Sequence, residues 1–124
     1  MIIGIGTDLI EIKRVIKACE KESFQRKIYT KREIELASRD KIKLAGNFAV
    51  KEAVSKMFGT GFYGVRPSDI EVLRDQLGKP YVNLYNGAKE LAEKMAIKKI
   101  HVTITNTSEY ASAFVIGEGQ DSVK

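Results

Sequence analysis

The stretch "NFAVKEAVSKMF", residues 47–58, decides how this chain is read. At about 100° per residue, Phe48, Glu52, Ala45, Lys56 and Ala49 fall in order across one arc of about 100° on a helical wheel. Leu44, Val50, Ala53, Val54, Met57 and Phe58 fill most of the remaining circle. Asn47, Lys51 and Ser55 form a separate polar edge, expected to meet solvent. A helix so apolar around its circumference is central. Glu52 therefore lies against packed structure, where a carboxylate must be paired, protonated or bound to a cation. Lys56, one turn on, is a ready partner. An exposed pair of that spacing contributes only about 0.3–0.5 kcal/mol, however, which is a poor reason to set two charges among Ala and Phe.

Working outward, this helix should run from about Lys41 to Phe58 and end at the three glycines of "GTGFYG". Upstream, Thr30 and Glu33 of "TKRE" have the spacing of a capping box, so another helix starts at Lys31 and "SRD" (38–40) interrupts it. Residues 11–22 read as a helix, with Ile12, Ile16 and Cys19 on one face and Lys13, Lys17 and Lys21 on another. "IIGIG" (2–6) reads as a short buried strand. Downstream, "DIEVLRD" (69–75) and "YVNLY" (81–85) are strands joined by the turn chemistry of "QLGKP". "NGAKELAEKMA" (86–96) is a helix capped by Asn86, and "IHVTITN" (100–106) and "YASAFVIGE" (110–118) form a hairpin. The order is α+β rather than strict βαβ alternation. It predicts one domain over residues 1–124 with a loose tail from about 119.

The 124 residues suit one core but not a roomy cleft as well, so a sizeable ligand site is expected to borrow a neighbouring subunit. The net charge is +5 and the cations are concentrated early, which points to an anionic partner. The single Cys19 cannot form an internal disulfide, so a reducing cytoplasm is the expected setting. No basic region precedes the first apolar run, and no apolar stretch approaches the roughly 20 residues of a membrane helix.

Few arrangements carry chemistry. "GIGTDL" has Leu9 where a dinucleotide fingerprint needs a third small residue. No zinc spacing and no Ser/His/Asp or Cys/His set is present. His101 alternates with Thr103 and Thr105 on a polar strand face, and Cys19 reads as core. Asp8, just past the first strand, has two readings. It caps the following helix, or it joins Glu52 in holding a hard divalent cation, with Lys56 against the same phosphates. The basic stripe Lys13, Arg14, Lys17 and Lys21 fits nucleic acid or an acidic protein helix, but no aromatic residues interleave it as a base-stacking platform.

Four blocks, "GIGTDLIEIKRV", "LAGNFAVKEAVSKMFGTG", "DIEVLRDQLGKPYV" and "HVTITNTSEYASAFVI", come in an order that resembles the holo-[acyl-carrier-protein] synthase family, the short type of 4′-phosphopantetheinyl transferase. The resemblance spans nearly the whole chain. It implies the phosphopantetheinyl transferase fold, with a small antiparallel sheet against a long central helix. It implies transfer of the phosphopantetheine arm of coenzyme A to a serine of an apo-acyl carrier protein in fatty acid biosynthesis, leaving adenosine 3′,5′-bisphosphate. It also implies Mg²⁺ held by Asp8 and Glu52, with Lys56 facing the pyrophosphate. Gly78, Lys79 and Pro80 should line the adenine end, and Asn106 and Thr107 should touch coenzyme A. Lys13, Arg14, Lys17 and Lys21 should meet the carrier protein, rather than nucleic acid or a membrane. A cytoplasmic homotrimer with sites between subunits is the family's usual assembly. Two positions depart from its pattern: Asn47 stands where arginine is usual, and Asn106 where histidine is usual. Asn106 can hydrogen-bond but cannot titrate near neutral pH. Asn47 lacks an arginine's charge, which is expected to weaken phosphate or interface contacts. Two rival readings of the residues remain at this point: a small basic anion- or nucleic-acid-binding module, and an inactive member of the same fold.

Overall fold

The computed structural model describes residues 1–121. Its elements run β1 (Ile2–Glu11), α1 (Ile12–Ala18), α2 (Glu22–Ile28), α3 (Lys31–Leu36), α4 (Ile42–Phe58), a 3₁₀ turn (Pro67–Asp69), β2 (Ile70–Arg74), β3 (Pro80–Leu84), α5 (Asn86–Lys94), β4 (Lys99–Asn106) and β5 (Tyr110–Glu118). The class is α+β, as expected. One antiparallel sheet has the order β1-β5-β4, and β2 and β3 form a separate antiparallel hairpin.

Helix α4 is the axis of the molecule. Its start lies one residue from the expected position, and it ends where Gly59 adopts a left-handed φ of 78°. Val50, Ala53, Val54 and Met57 pack against the inward residues of β5 and against β2 and α5. Central strand β5 alternates cleanly, with Ala111, Ala113 and Val115 buried under α4. A second cluster joins α1, α2 and α3 to the N-terminal turns of α4 through Val15, Cys19, Ile28, Tyr29 and Leu44. Cys19 is core, as read from its stripe. The Thr30–Glu33 capping box is present at the start of α3.

Five local expectations differ from the structure. The first strand does not stop at residue 6. It continues to Glu11, because Thr7 through Glu11 pair with residues 110–114 of β5. Asp8 is thus inside a strand, opposite Ala113, and caps no helix. The helix expected over 11–22 ends early, at Ala18, as α1, and a further short helix that was not expected, α2, begins at Glu22 after residues 19–21. Asn86 does not cap α5 either. Tyr85 occupies the cap position, and Asn86, at φ 48°, donates from Nδ2 to Asp69 Oδ1 at 3.1 Å. The expected loose tail is partly tied down. Gly119 is buried, and its backbone N–H donates to the Met1 carbonyl at 2.8 Å while the Met1 ammonium donates back to its carbonyl at 3.0 Å. Residues 122–124 of that expectation lie outside the described residues.

The largest correction concerns the polar edge of α4. Asn47, Lys51 and Ser55 do not meet solvent: they are 0%, 1% and 2% exposed. The side of α4 that opens is the stripe Phe48, Glu52 and Lys56. The wheel was right that two polar edges exist and wrong about which one faces in. Glu33, arriving from α3 with a buried carboxylate, supplies the partner that makes Lys51 and Asn47 buriable.

Candidate active site

Strand β1 sends Gly4, Gly6, Asp8 and Ile10 toward α4, and Ile5, Thr7, Leu9 and Glu11 outward. The inward glycines have a physical reason. A Cβ on Gly6 would overlap the Ala53 carbonyl oxygen, and one on Gly4 would overlap that of Met57. Without side chains there, β1 lies directly on the helix backbone, so Asp8 comes beside Glu52, the neighbour of Ala53. The glycines of "GIGTD" serve helix–strand contact, not a dinucleotide loop.

Three of the predicted site residues come together here. Lys56 Nζ donates to Asp8 Oδ1 at 3.0 Å and to the Thr7 carbonyl at 3.1 Å. The i+4 pairing of Lys56 with Glu52, the bland alternative, gives way to a contact with Asp8 across the strand. Asp8 Oδ2 is buried and has no hydrogen-bond partner among the described residues. Burial pushes the Glu52 carboxyl above the usual range, the nearby Asp8 charge pushes it further, and Lys56 pulls it back. Two crowded carboxylates, one with an orphaned buried oxygen, form a donor set that a divalent cation would satisfy. Among the described residues no cluster of three or more His, Cys, Asp or Glu could hold a metal. Two carboxylates alone suit Mg²⁺, which keeps waters and takes substrate phosphate oxygens for its remaining positions.

A second part of the predicted site lies elsewhere. Gly78, Pro80 and Asn106 line a cavity of about 290 Å³ together with Lys43, Gly46 and Arg74. The β2–β3 turn is built by Asp75, whose Oδ1 accepts from the backbone N–H groups of Leu77 and Lys79, and Gly78 takes φ 86°. Lys79 does not line the cavity, and Thr107 uses its hydroxyl to accept from the Glu109 and Tyr110 backbone N–H groups in the β4–β5 turn. Lys43 and Arg74 were missed by the sequence reading. Among the described residues Arg74 makes one hydrogen-bond contact, at 3.4 Å to the Leu73 carbonyl, and shares the cavity with Asp40, leaving most of its guanidinium donors open to an anion. The signal for it was faint: an alternating strand with a cation at its last residue. This cavity shares no residue with the Asp8–Glu52–Lys56 group, and strand β5 lies between them.

Asn47 is in neither part. Its Nδ2 donates to Glu33 Oε2 at 3.0 Å and to the Val72 carbonyl at 2.9 Å. The expectation that this departure weakens phosphate or subunit contacts is therefore overturned: the side chain points into the core. Asn106, by contrast, is exposed at the cavity.

The carrier-protein residues share a surface. Arg14, Lys17 and Lys21 edge a trough floored by Ala18 and Phe24. It adjoins an apolar hollow lined by Leu9, Ile10, Val15 and Phe48, with Arg14 common to both. Lys13 is not on it; it lines a separate hollow with Glu11 and Glu109. Among the described residues no helix is long and apolar enough to cross a membrane.

Residues 4–115 match the 4′-phosphopantetheinyl transferase superfamily, and the chain belongs to it. The holo-[acyl-carrier-protein] synthase of Lachnoclostridium phytofermentans is 63% identical over 118 residues, covering 95% of this chain and 97% of that one. The crystal structure of holo-[acyl-carrier-protein] synthase from Neisseria meningitidis superimposes with a TM-score of 0.86 at 33% identity, over 95% of this chain and 99% of that one. The Bacillus anthracis holo-(acyl-carrier-protein) synthase, solved in complex with CoA (3′,5′-ADP), gives 0.79 at 34% identity over 97% and 99%.

Proposed function

We propose that this chain transfers the 4′-phosphopantetheine arm of coenzyme A to a serine hydroxyl of an apo-acyl carrier protein. The serine Oγ–P bond forms, the P–O bond to the leaving adenosine 3′,5′-bisphosphate breaks, and the serine proton goes to a base. The observation that carries this reading is the orphaned buried oxygen of Asp8 beside Glu52 and Lys56. Asp8 and Glu52 would hold Mg²⁺, which when bound neutralises charge on the pyrophosphate. Lys56, more than half exposed, is free to swing from Asp8 toward a phosphate oxygen and stabilise charge there. Glu52, pushed above the ordinary carboxylate range by burial and by Asp8 in the metal-free site, or a water on the bound metal would accept the serine proton.

The cavity with Lys43, Arg74, Gly78, Pro80 and Asn106 supplies the adenosine end of the coenzyme A site. The trough edged by Arg14, Lys17 and Lys21 receives an acidic helix of the carrier protein, its Phe24 floor taking an apolar side chain. The two parts of the coenzyme A site lie apart within one protomer, and the outer sheet face carries exposed Ile5, Leu9 and Phe114. A homotrimer buries that face and sets Asp8 and Glu52 of one subunit toward the cavity of the next. The single domain works in the cytoplasm, consistent with its one free, buried cysteine.

The test is mass spectrometry of an apo carrier protein incubated with this protein, coenzyme A and Mg²⁺, with a chelated control. A metal-dependent gain of one phosphopantetheine arm is expected. No gain across several carrier proteins would return the inactive-member reading.

A further inference from the structure

We propose that Glu33, Asn47 and Lys51 form a positioning clamp that fixes the rotation of α4, and thereby holds Glu52 against Asp8. The inference rests on the metal-site reading above and extends it to residues that touch neither substrate nor metal.

The clamp is fully inside the protein and almost fully satisfied. Lys51 Nζ donates to Glu33 Oε1 at 2.8 Å, to the Pro67 carbonyl at 3.0 Å and to the Ile70 carbonyl. These account for all three ammonium hydrogens. The same nitrogen stands 5.5 Å from the Tyr29 ring centroid. Asn47, one turn earlier, gives both amide hydrogens to Glu33 Oε2 and the Val72 carbonyl. Glu33 in turn closes the α3 capping box by accepting from the Thr30 backbone N–H at 3.1 Å. One carboxylate therefore ties α3 to two successive turns of α4, and the same α4 side chains tie it to the 3₁₀ turn and β2.

Geometry links this to chemistry. Asn47 and Phe48, Lys51 and Glu52, and Ser55 and Lys56 are neighbours in sequence, so each inward residue lies about 100° around the axis from an outward one. The inward edge has only one rotation that satisfies Glu33. On the other side, Gly4 and Gly6 fix how closely β1 approaches but, having no side chains, do not fix which way α4 is turned. An apolar edge would pack over a range of rotations. Directional bonds from two turns of the helix to one carboxylate would not.

The experiment compares the parent with Glu33→Gln/Lys51→Met, which keeps volume and removes both charges, and with the milder Asn47→Ser. Glu33 and Lys51 change together because removing one alone strands a buried charge. Two quantities are read: Mn²⁺ binding to the protein by electron paramagnetic resonance, and the Mg²⁺ concentration giving half-maximal turnover. Asp8→Asn is the control. The clamp variants should bind Mn²⁺ about tenfold more weakly, as when the supports of metal ligands are removed. Their half-maximal Mg²⁺ concentration should rise in parallel, while KM for the carrier protein stays put. A merely structural role would lower the active fraction without moving either metal reading. If Asp8→Asn loses Mn²⁺ and either folded clamp variant keeps parental affinity, the clamp proposal is overturned and the metal site stands. If Asp8→Asn binds Mn²⁺ like the parent, the metal reading itself fails and takes the proposal with it.

Discussion

Glu52 shows at one residue how function and stability oppose each other. Its carboxyl is held above the usual range by burial first and by Asp8 second. A group with a folded pKa above its unfolded value binds more protons in the folded state. Its contribution to stability is fully present below the unfolded pKa and is lost as pH rises through the folded one. Metal-free Glu52→Gln should therefore melt above the parent at neutral pH, and the difference should close in acid below the ordinary carboxylate range. The same substitution removes a metal-holding oxygen and the proposed proton acceptor. Turnover should drop about 10³-fold, since Lewis-acid stabilisation is worth several kcal/mol and each 1.36 kcal/mol is tenfold. Thermal melts across pH, run with chelator, check the first half, and carrier-protein turnover checks the second. A Glu52→Gln protein that melts lower than the parent at neutral pH would mean that Glu52 is paired rather than crowded. Asn106 offers a companion test. It cannot titrate near neutral pH, so Asn106→His should add to the parent's pH–rate profile a step near the ordinary histidine value of about 6.5.

At the scale of elements, the β1–α4 contact decides whether a site exists. Gly6→Ala would drive a Cβ into the Ala53 carbonyl, a backbone atom that has no rotamer to escape into. Overpacking of this kind costs about 1–3 kcal/mol or more, so the denaturation midpoint should fall, and the half-maximal Mg²⁺ concentration should rise as β1 lifts from the helix. Gly61→Ala is the informative contrast. Its Cβ meets nothing within 4 Å, so only its φ of 61° is strained, and metal response should be unchanged. The basic trough gives a second prediction. Lys17→Glu should raise KM for the carrier protein about tenfold at low salt, leave KM for coenzyme A unchanged, and flatten the salt dependence. These elements also mark what the sequence could disclose. The span of α4 and the α3 capping box were legible because helix periodicity and caps are local signals. The true length of β1 was not, since Gly6 and Asp8 are poor strand formers and the strand is completed by β5, about a hundred residues later. Burial of Lys51 was hidden for the same reason: its partner Glu33 is 18 residues away and invisible to a wheel. Asp8, Glu52 and Lys56 were reachable by resemblance, whereas Lys43 and Arg74 became visible only once the β2–β3 turn and β4 were brought together over α4.

At the scale of the whole molecule, the three-stranded sheet has one covered face and one open one. Strand register places Thr105, Ser112 and Leu9 in one row of the open face, Thr103, Phe114 and Thr7 in the next, and His101, Ile116 and Ile5 in the third. Its apolar side chains therefore run along β1 and β5, beside the strand that carries Asp8. A trimer formed on this face would do two things at once: remove Ile5, Leu9 and Phe114 from water, and bring a neighbour's cavity to Asp8 and Glu52. Phe114→Glu separates these effects from folding, because the side chain points out of the sheet and away from the buried residues under α4. The parent should sediment as a trimer and Phe114→Glu as a monomer, since burying an unpaired carboxylate against apolar side chains costs several kcal/mol. Circular dichroism should be unchanged and turnover abolished. Subunit exchange then locates the site. Asp8→Asn spoils one part of it and Arg74→Glu the other, so each homotrimer should be inactive. A mixed trimer, however, contains junctions where an intact Asp8 faces an intact Arg74, and activity should return on mixing. Recovery requires that the two parts come from different chains. If the mixture stays inactive while monomeric Phe114→Glu turns over normally, both parts belong to one protomer, and the route between them must instead run around β5 within a single chain.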